Sequence, residues 1–196
     1  LSTPGWTAYV RVHVPQAELT IIGNGPELTS IGQEEPYELS QGNHKGLVSD
    51  RYLGNEVLRV RGVAFRNMQV GAFVGMGASS DFVNCTFEGN RRGADLNSNQ
   101  SAVENCVFEG GSADAINLIS YQQNELVVSR CTFSLPNPVV ASRHMSLYAR
   151  AVTVVNCTFE SGGTGIACGV DSCIVANCQF AGQGDYGVGG YFGAAS

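Results

Sequence analysis

Four copies of one phrase, Asn-Cys-x-Phe, constrain this chain more than any other feature. They read FVNCTFEGN (residues 82–90), VENCVFEGG (103–111), VVNCTFESG (154–162) and VANCQFAGQ (175–183). Counting weaker copies, the phenylalanines Phe65, Phe87, Phe108, Phe133, Phe159 and Phe180 are spaced 22, 21, 25, 26 and 21 residues apart. Two residues before each stand Val63, Cys85, Cys106, Cys131, Cys157 and Cys178, and one step earlier Gly62, Asn84, Asn105, Arg130, Asn156 and Asn177. Apolar residues alternate ahead of these, as in Leu58/Val60, Leu126/Val128 and Val152/Val154, with Ser80/Phe82 and Ser101/Val103 as variants.

A fixed period of 20–50 residues marks a repeat architecture, and the local pattern says which one. Alternation with a period of two, broken by a turn at Asn and resumed by Cys-x-Phe, describes two short strands meeting at a bend. A Gly-rich turn and a third short run follow each Phe: GAFVGM, GADLNS, AINLIS, MSLYAR, GIACGV and YGVGGY. No unit carries a helical pattern, and the Leu-x-x-Leu-x-Leu signature of leucine-rich repeats is absent. One such unit cannot bury its apolar face alone, whereas stacked units share a continuous core. The pattern predicts an all-β, single-stranded right-handed parallel β-helix of about seven coils, three short strands per coil. It is expected to form a single domain over 1–196. The opening residues LSTPGW suggest a mature or excised chain.

The repeat assigns roles to its own residues. Asn tolerates the left-handed bend, and its amide can bond the next Asn in the stack; Asn84, Asn105, Asn156 and Asn177 form an expected ladder that Arg130 interrupts. The five cysteines of the repeat fall at equivalent places in successive coils. Their Cβ atoms would lie near the 4.8 Å strand spacing, whereas a disulfide wants about 3.8 Å. They are therefore expected as inward, free thiols, which pack as small hydrophobes. Cys168 and Cys173 lie outside that column, where a single bridge across a turn is open to them.

Composition excludes several partners. A net charge of −6, with only 11 scattered Lys and Arg, argues against nucleic acid, whose binding needs clustered cations. No run approaches the roughly 18–20 apolar residues of a membrane span. Elbow, zincin, P-loop and dinucleotide motifs are missing. No cofactor is expected; Ca²⁺, which needs only clustered oxygens, stays open, although Asp81, Asp95, Asp114 and Asp171 form no obvious cluster.

The order of segments resembles pectin methylesterases, within the wider pectate-lyase-like superfamily, over roughly residues 8–120. The likeness rests on YVRVHVPQAELTIIGNGPELTSIG (9–32), VLRVRGVAFRNM (57–68), FVNCTFEGN with GADL, and VENCVFEGGSADAIN. It implies a polysaccharide partner, a secreted, cell-surface or periplasmic address, and two aspartates from adjacent coils, one as general acid/base and the other as nucleophile. Asp114 matches the second aspartate. Asp95 lies one place after the first, and Gly93 or Arg92 stands where the family has an assisting glutamine. The segment supplying the family's arginine has no counterpart.

The third run supplies the variable, polar face. With Ala94 and Leu96 inward, Phe73, Asp95, Asn97, Asn117, Ser146, Tyr148 and Tyr191 face out. Parity puts Asp114 in a turn or inward; the resemblance puts it outward. Two insertions, 33–46 and 135–144, follow the Phe strand or its equivalent and should wall this face, bringing Tyr121, Arg143 and His144 near it. Aromatic rings and amides suit sugars, by stacking and by hydroxyl hydrogen bonds. The expected site is thus Asp95 and Asp114 for catalysis, with Asn97, Asn117, Tyr121, Arg143, His144 and Tyr148 as substrate contacts. Two functions fit: a carbohydrate esterase or other polysaccharide-active hydrolase or lyase, and a non-catalytic glycan-binding or spacing module of a surface or adhesive protein.

Overall fold

A computed structural model describes residues 10–11, 18–33, 44–49, 57–75, 77–111, 113–119, 125–135 and 143–190. Every strand pairing in them is parallel and joins one coil to the next. A two-residue strand, β1 (Val10–Arg11), precedes seven triplets. These are β2 (Glu18–Ile22), β3 (Ser30–Gly32) and β4 (Lys45–Ser49), then β5 (Val57–Arg61), β6 (Ala64–Arg66) and β7 (Val70–Val74). Next come β8 (Ser79–Val83), β9 (Thr86–Glu88) and β10 (Arg92–Leu96), then β11 (Gln100–Glu104), β12 (Val107–Glu109) and β13 (Ile116–Ile119). The last three are β14 (Glu125–Ser129), β15 (Thr132–Ser134) and β16 (Arg143–Tyr148); β17 (Ala151–Val155), β18 (Thr158–Glu160) and β19 (Thr164–Cys168); and β20 (Ser172–Ala176), β21 (Gln179–Ala181) and β22 (Tyr186–Gly190). First, second and third members of the triplets build three separate sheets of seven, seven and eight strands, β1 joining the last. The expected three-strand coil is therefore the unit of the fold. No helix is long and apolar enough to cross a membrane, among the described residues.

The bend between the first two strands is left-handed in coil after coil: φ is 63° at Gly62, 54° at Asn84, 51° at Asn105, 55° at Arg130, 56° at Asn156 and 52° at Asn177. Asn105 Nδ2 donates to Asn84 Oδ1 at 2.7 Å, the amide-to-amide bond expected of a ladder. A second left-handed bend follows the Phe strand, at Gly89, Gly110, Ser161 and Gly182. Two corners of fixed hand keep every coil in register, so like residues stack on like.

The core is a set of such columns. Rings of Phe65, Phe87, Phe108, Phe133, Phe159 and Phe180 stack nearly parallel, with successive centroids 4.6–5.0 Å apart. Cys85, Cys106, Cys131 and Cys157 are buried free thiols and Cys178, in the final coil, is a half-buried one. Each thiol donates to a carbonyl of the preceding coil, as Cys106 does to Phe82 O at 3.5 Å. Ser80 and Ser101 replace apolar residues but hydrogen-bond each other at 2.7 Å, and Ser101 also bonds Ser98. The inward serines are thus satisfied by one another, which removes the usual penalty for buried hydroxyls.

One column departs from the alternation read in sequence. At Gly71, Gly93 and Gly165, a Cβ would come within about 3 Å of a ring of the Phe stack and of a carbonyl in the next coil. These glycines face the interior at the corner leading into the eight-stranded sheet, and at these three places the missing side chain leaves room for the strand to approach the stack. His144 occupies this column in β16: it pairs with the place of Gly165 between the registered Arg143–Thr164 and Met145–Ile166 pairs. It is therefore an interior residue and not part of the outer face.

Candidate functional site

The corner between the Phe strands and the eight-stranded sheet holds Arg92, Asp114 and Arg143. The insertions 33–46 and 135–144 leave from this same corner, since they join β3 to β4 and β15 to β16. Their interiors, like Tyr121 and Tyr191, lie outside the described residues.

Two columns define the site. In the first, register pairs Val48, Phe73, Asp95, Asn117, Ser146 and Ala167 in successive coils. The expected outward set Phe73, Asp95, Asn117 and Ser146 is therefore a single stripe. Lys45 Nζ lies 3.9 Å from the Phe73 ring centroid, covering its end with a cation. Asp95 is 7% exposed, and both its oxygens are engaged: Asn117 Nδ2 donates to Oδ1 at 3.0 Å, and Arg92 Nη1 to Oδ2 at 3.3 Å.

The second column lies three residues earlier in each strand. Ala94 pairs with Ile116 and Ile116 with Met145, so two places earlier Arg92, Asp114 and Arg143 fall in line across three coils, near the strand spacing of about 4.8 Å. Asp114 sits in the turn before β13, which settles its parity: it is neither an inward strand residue nor an outward one. Burial raises its carboxyl above the ordinary aspartate range; the charges of Arg92 and Arg143 oppose that shift and the nearby Asp95 adds to it. The two candidate carboxylates thus lie close enough to feel each other. Arg143 also donates to Ser146 Oγ at 3.4 Å, repeating the Arg92–Asp95 contact at the same three-residue spacing two coils away. Arg92 Nε is buried without a hydrogen-bond partner among the described residues.

The remaining expected contacts divide. Tyr148, two residues beyond Ser146, is half-buried on the outer side, its ring closing on Gly169, where a Cβ would come within 2.8 Å of it. Asn97 is half-buried just past β10, its backbone N–H donating to Val74 O at 2.8 Å. His144 is the correction. It is 0% exposed, edge-on between Phe133 and Phe159, with Nε2–H donating to Ser161 O at 2.6 Å. It cannot touch a substrate on the outer face. Burial lowers its pKa, against the opposing pull of the Ser161 carbonyl, so Nδ1 is an unprotonated nitrogen, buried and unpartnered among the described residues. Of the two residues at the family's glutamine place, Gly93 faces the Phe stack and only Arg92 reaches the site.

Arg92 is the residue that sequence reasoning undervalued. Its signal was present: Arg92 and Arg143 each stand three residues before an outward polar residue, at equivalent places in coils two apart. Among the described residues, no three His, Cys, Asp or Glu side chains converge on a point that would hold a metal ion.

Columns of like residues, two left-handed corners and three parallel sheets define a protein class, and comparison with known families agrees. The model of the family described as the right handed beta helix region matches residues 43–147, and the chain belongs to that family. Neither the curated proteins nor the solved structures gave a significant match.

Proposed function

We propose that the outer face of the eight-stranded sheet is a polysaccharide site on a secreted or surface-exposed β-helix, and that Asp114, beside the Arg92 that Asp95 anchors, catalyses hydrolysis of an ester on the bound chain. The observation that carries this reading is the in-line Arg92–Asp114–Arg143 column beside Asp95. A carboxylate whose proton affinity is raised by desolvation is a better general base than an exposed one. Asp114 takes a proton from the water attacking the ester carbonyl. The oxyanion that develops is stabilised by the guanidiniums on either side, and the same carboxyl returns the proton to the departing alkoxide. Asp95 anchors Arg92 and Asn117 in the arrangement this requires, Asn117 and Ser146 are buried beneath it, and the half-buried Tyr148 offers a ring to the sugars.

The test is proton release from methylesterified pectin at constant pH. Asp114→Asn should lower the rate by about 100-fold or more, the usual contribution of a general base. Its thermal midpoint should not fall, because the desolvated charge is a cost to the folded state. A wild-type protein that releases no protons, or a variant that releases them as fast, overturns the esterase reading. A second reading, a non-catalytic glycan-binding module, is favoured by the near-complete occlusion of Asp95. It predicts glycan-array binding by wild type and Asp114→Asn alike, without turnover.

A further inference from the structure

Two of the seven cysteines differ from the rest. Those of the repeat column lie behind the sheets, and the four in its interior are each 1% exposed with thiols bonded to carbonyls. Cys168 ends β19 and Cys173 is the second residue of β20, with a short turn between them. Their sulfurs are 2.9 Å apart, about 1 Å more than a formed disulfide. Both ends of the turn are pinned to the preceding coil: Gly169 N donates to Leu147 O at 2.8 Å, and Ser172 N to Arg150 O at 3.0 Å. Tyr148 leans on Gly169 from outside.

Packing does not require sulfur at either place. Leu147 holds the position of Cys168 in the preceding coil, and Val152 holds that of Cys173. Access also differs between the two: Cys173 is exposed, whereas Cys168 is buried.

We propose that Cys168 and Cys173 are a redox-active dithiol that closes to an intrachain disulfide by exchange with a low-molecular-weight disulfide, clasping β19 to β20. Cys173 is the attacking group. The hydrogen bond from the Cys168 thiol draws its pKa down to about 7, while the same contact and burial push Cys168 up. A thiol titrating near ambient pH is close to optimal for exchange. The Cys173 thiolate attacks one sulfur of glutathione disulfide, breaking that S–S bond and releasing one glutathione thiolate, which takes up the proton Cys173 gave to solvent. Cys168 then attacks Cys173 Sγ in the mixed disulfide. The second glutathione leaves as thiolate and takes the proton of Cys168. Two protein thiols are oxidised, and one glutathione disulfide is reduced to two thiols.

The experiment equilibrates the folded chain in glutathione buffers of rising oxidised fraction, quenches with acid, denatures, alkylates and maps peptides by mass. Wild type should lose two of its seven alkylatable thiols, joined as a 168–173 disulfide, with the five column thiols still free. Cys168→Ser should stop at a glutathione adduct on Cys173, and Cys173→Ser should keep all its thiols. Cys168→Ala keeps the buried place apolar and should trap the same adduct if serine there unfolds the coil. Seven free thiols in the oxidising buffer, a disulfide joining any other pair, or no adduct in either Cys168 variant overturns the proposal.

Discussion

Arg130 holds the left-handed bend with φ at 55°, where the neighbouring coils use asparagine. Its guanidinium compensates by pairing with Glu104, but both partners are largely exposed, so that pair is worth about 0–1 kcal/mol. The left-handed conformation costs an ordinary L-residue about 1–2 kcal/mol, and asparagine less. The backbone cost outweighs the ion pair, and an amide at this place also meets the ladder on both sides. Arg130→Asn should therefore raise stability by roughly 0.5–1 kcal/mol, read as a higher urea midpoint with an unchanged slope. A lower midpoint would mean that the pair with Glu104 is worth more than exposure allows.

β16 departs from the repeat more than any other element of the third sheet. It follows an insertion, puts Arg143 and Ser146 on the outer face, and puts His144 where neighbouring coils have glycine or alanine. His144 is neutral when folded because burial lowers its pKa. Above the ordinary histidine value of about 6.5, folded and unfolded chains bind the same number of protons there, and stability is independent of pH through this group. Below it the unfolded chain takes up a proton that the folded chain refuses, so stability falls as pH drops. Asp114 acts with opposite sign: its raised pKa costs stability as pH rises past the ordinary aspartate value, and the cost is relieved in acid. The two are separable by mutation. His144→Gln, whose amide can still reach Ser161 O, should flatten the fall in thermal midpoint between pH 7 and 5.5, whereas Asp114→Asn should remove the relief that wild type gains as pH falls toward the ordinary aspartate value of about 3.9. If His144→Gln leaves the slope unchanged, the imidazole is taking up its proton in the folded state.

The whole molecule is a one-dimensional stack in which each coil is stabilised mainly by its two neighbours. Phe108 makes stacked contacts on both faces, at 4.6 and 4.9 Å, whereas Phe180 stacks on Phe159 in a coil with much of its surface exposed. Phe108→Ala should cost about 3–5 kcal/mol, and Phe180→Ala clearly less, in denaturant unfolding followed by far-UV circular dichroism. Equal costs would contradict nearest-neighbour stacking. The same geometry explains why the site lies where it does: interior columns must match from coil to coil, so differences in chemistry are confined to outward places and to turns.

The fold was legible because a parallel solenoid copies its register into the sequence. Interior Phe and Cys, and the left-handed Asn, recur at one interval because each must stack on its equivalent, and a linear string records such an interval directly. The stripe of Asp95, Asn117 and Ser146 followed from the same alternation. What only the tertiary structure decided are the exceptions at corners, where the period of two breaks. Parity could not place Asp114 in its turn between two arginines, nor turn His144 inward against the Phe stack, because two consecutive residues at that corner both face the interior. Spacing left a bridge between Cys168 and Cys173 open, but that their sulfurs meet depends on how the turn between them is pinned to the coil before it.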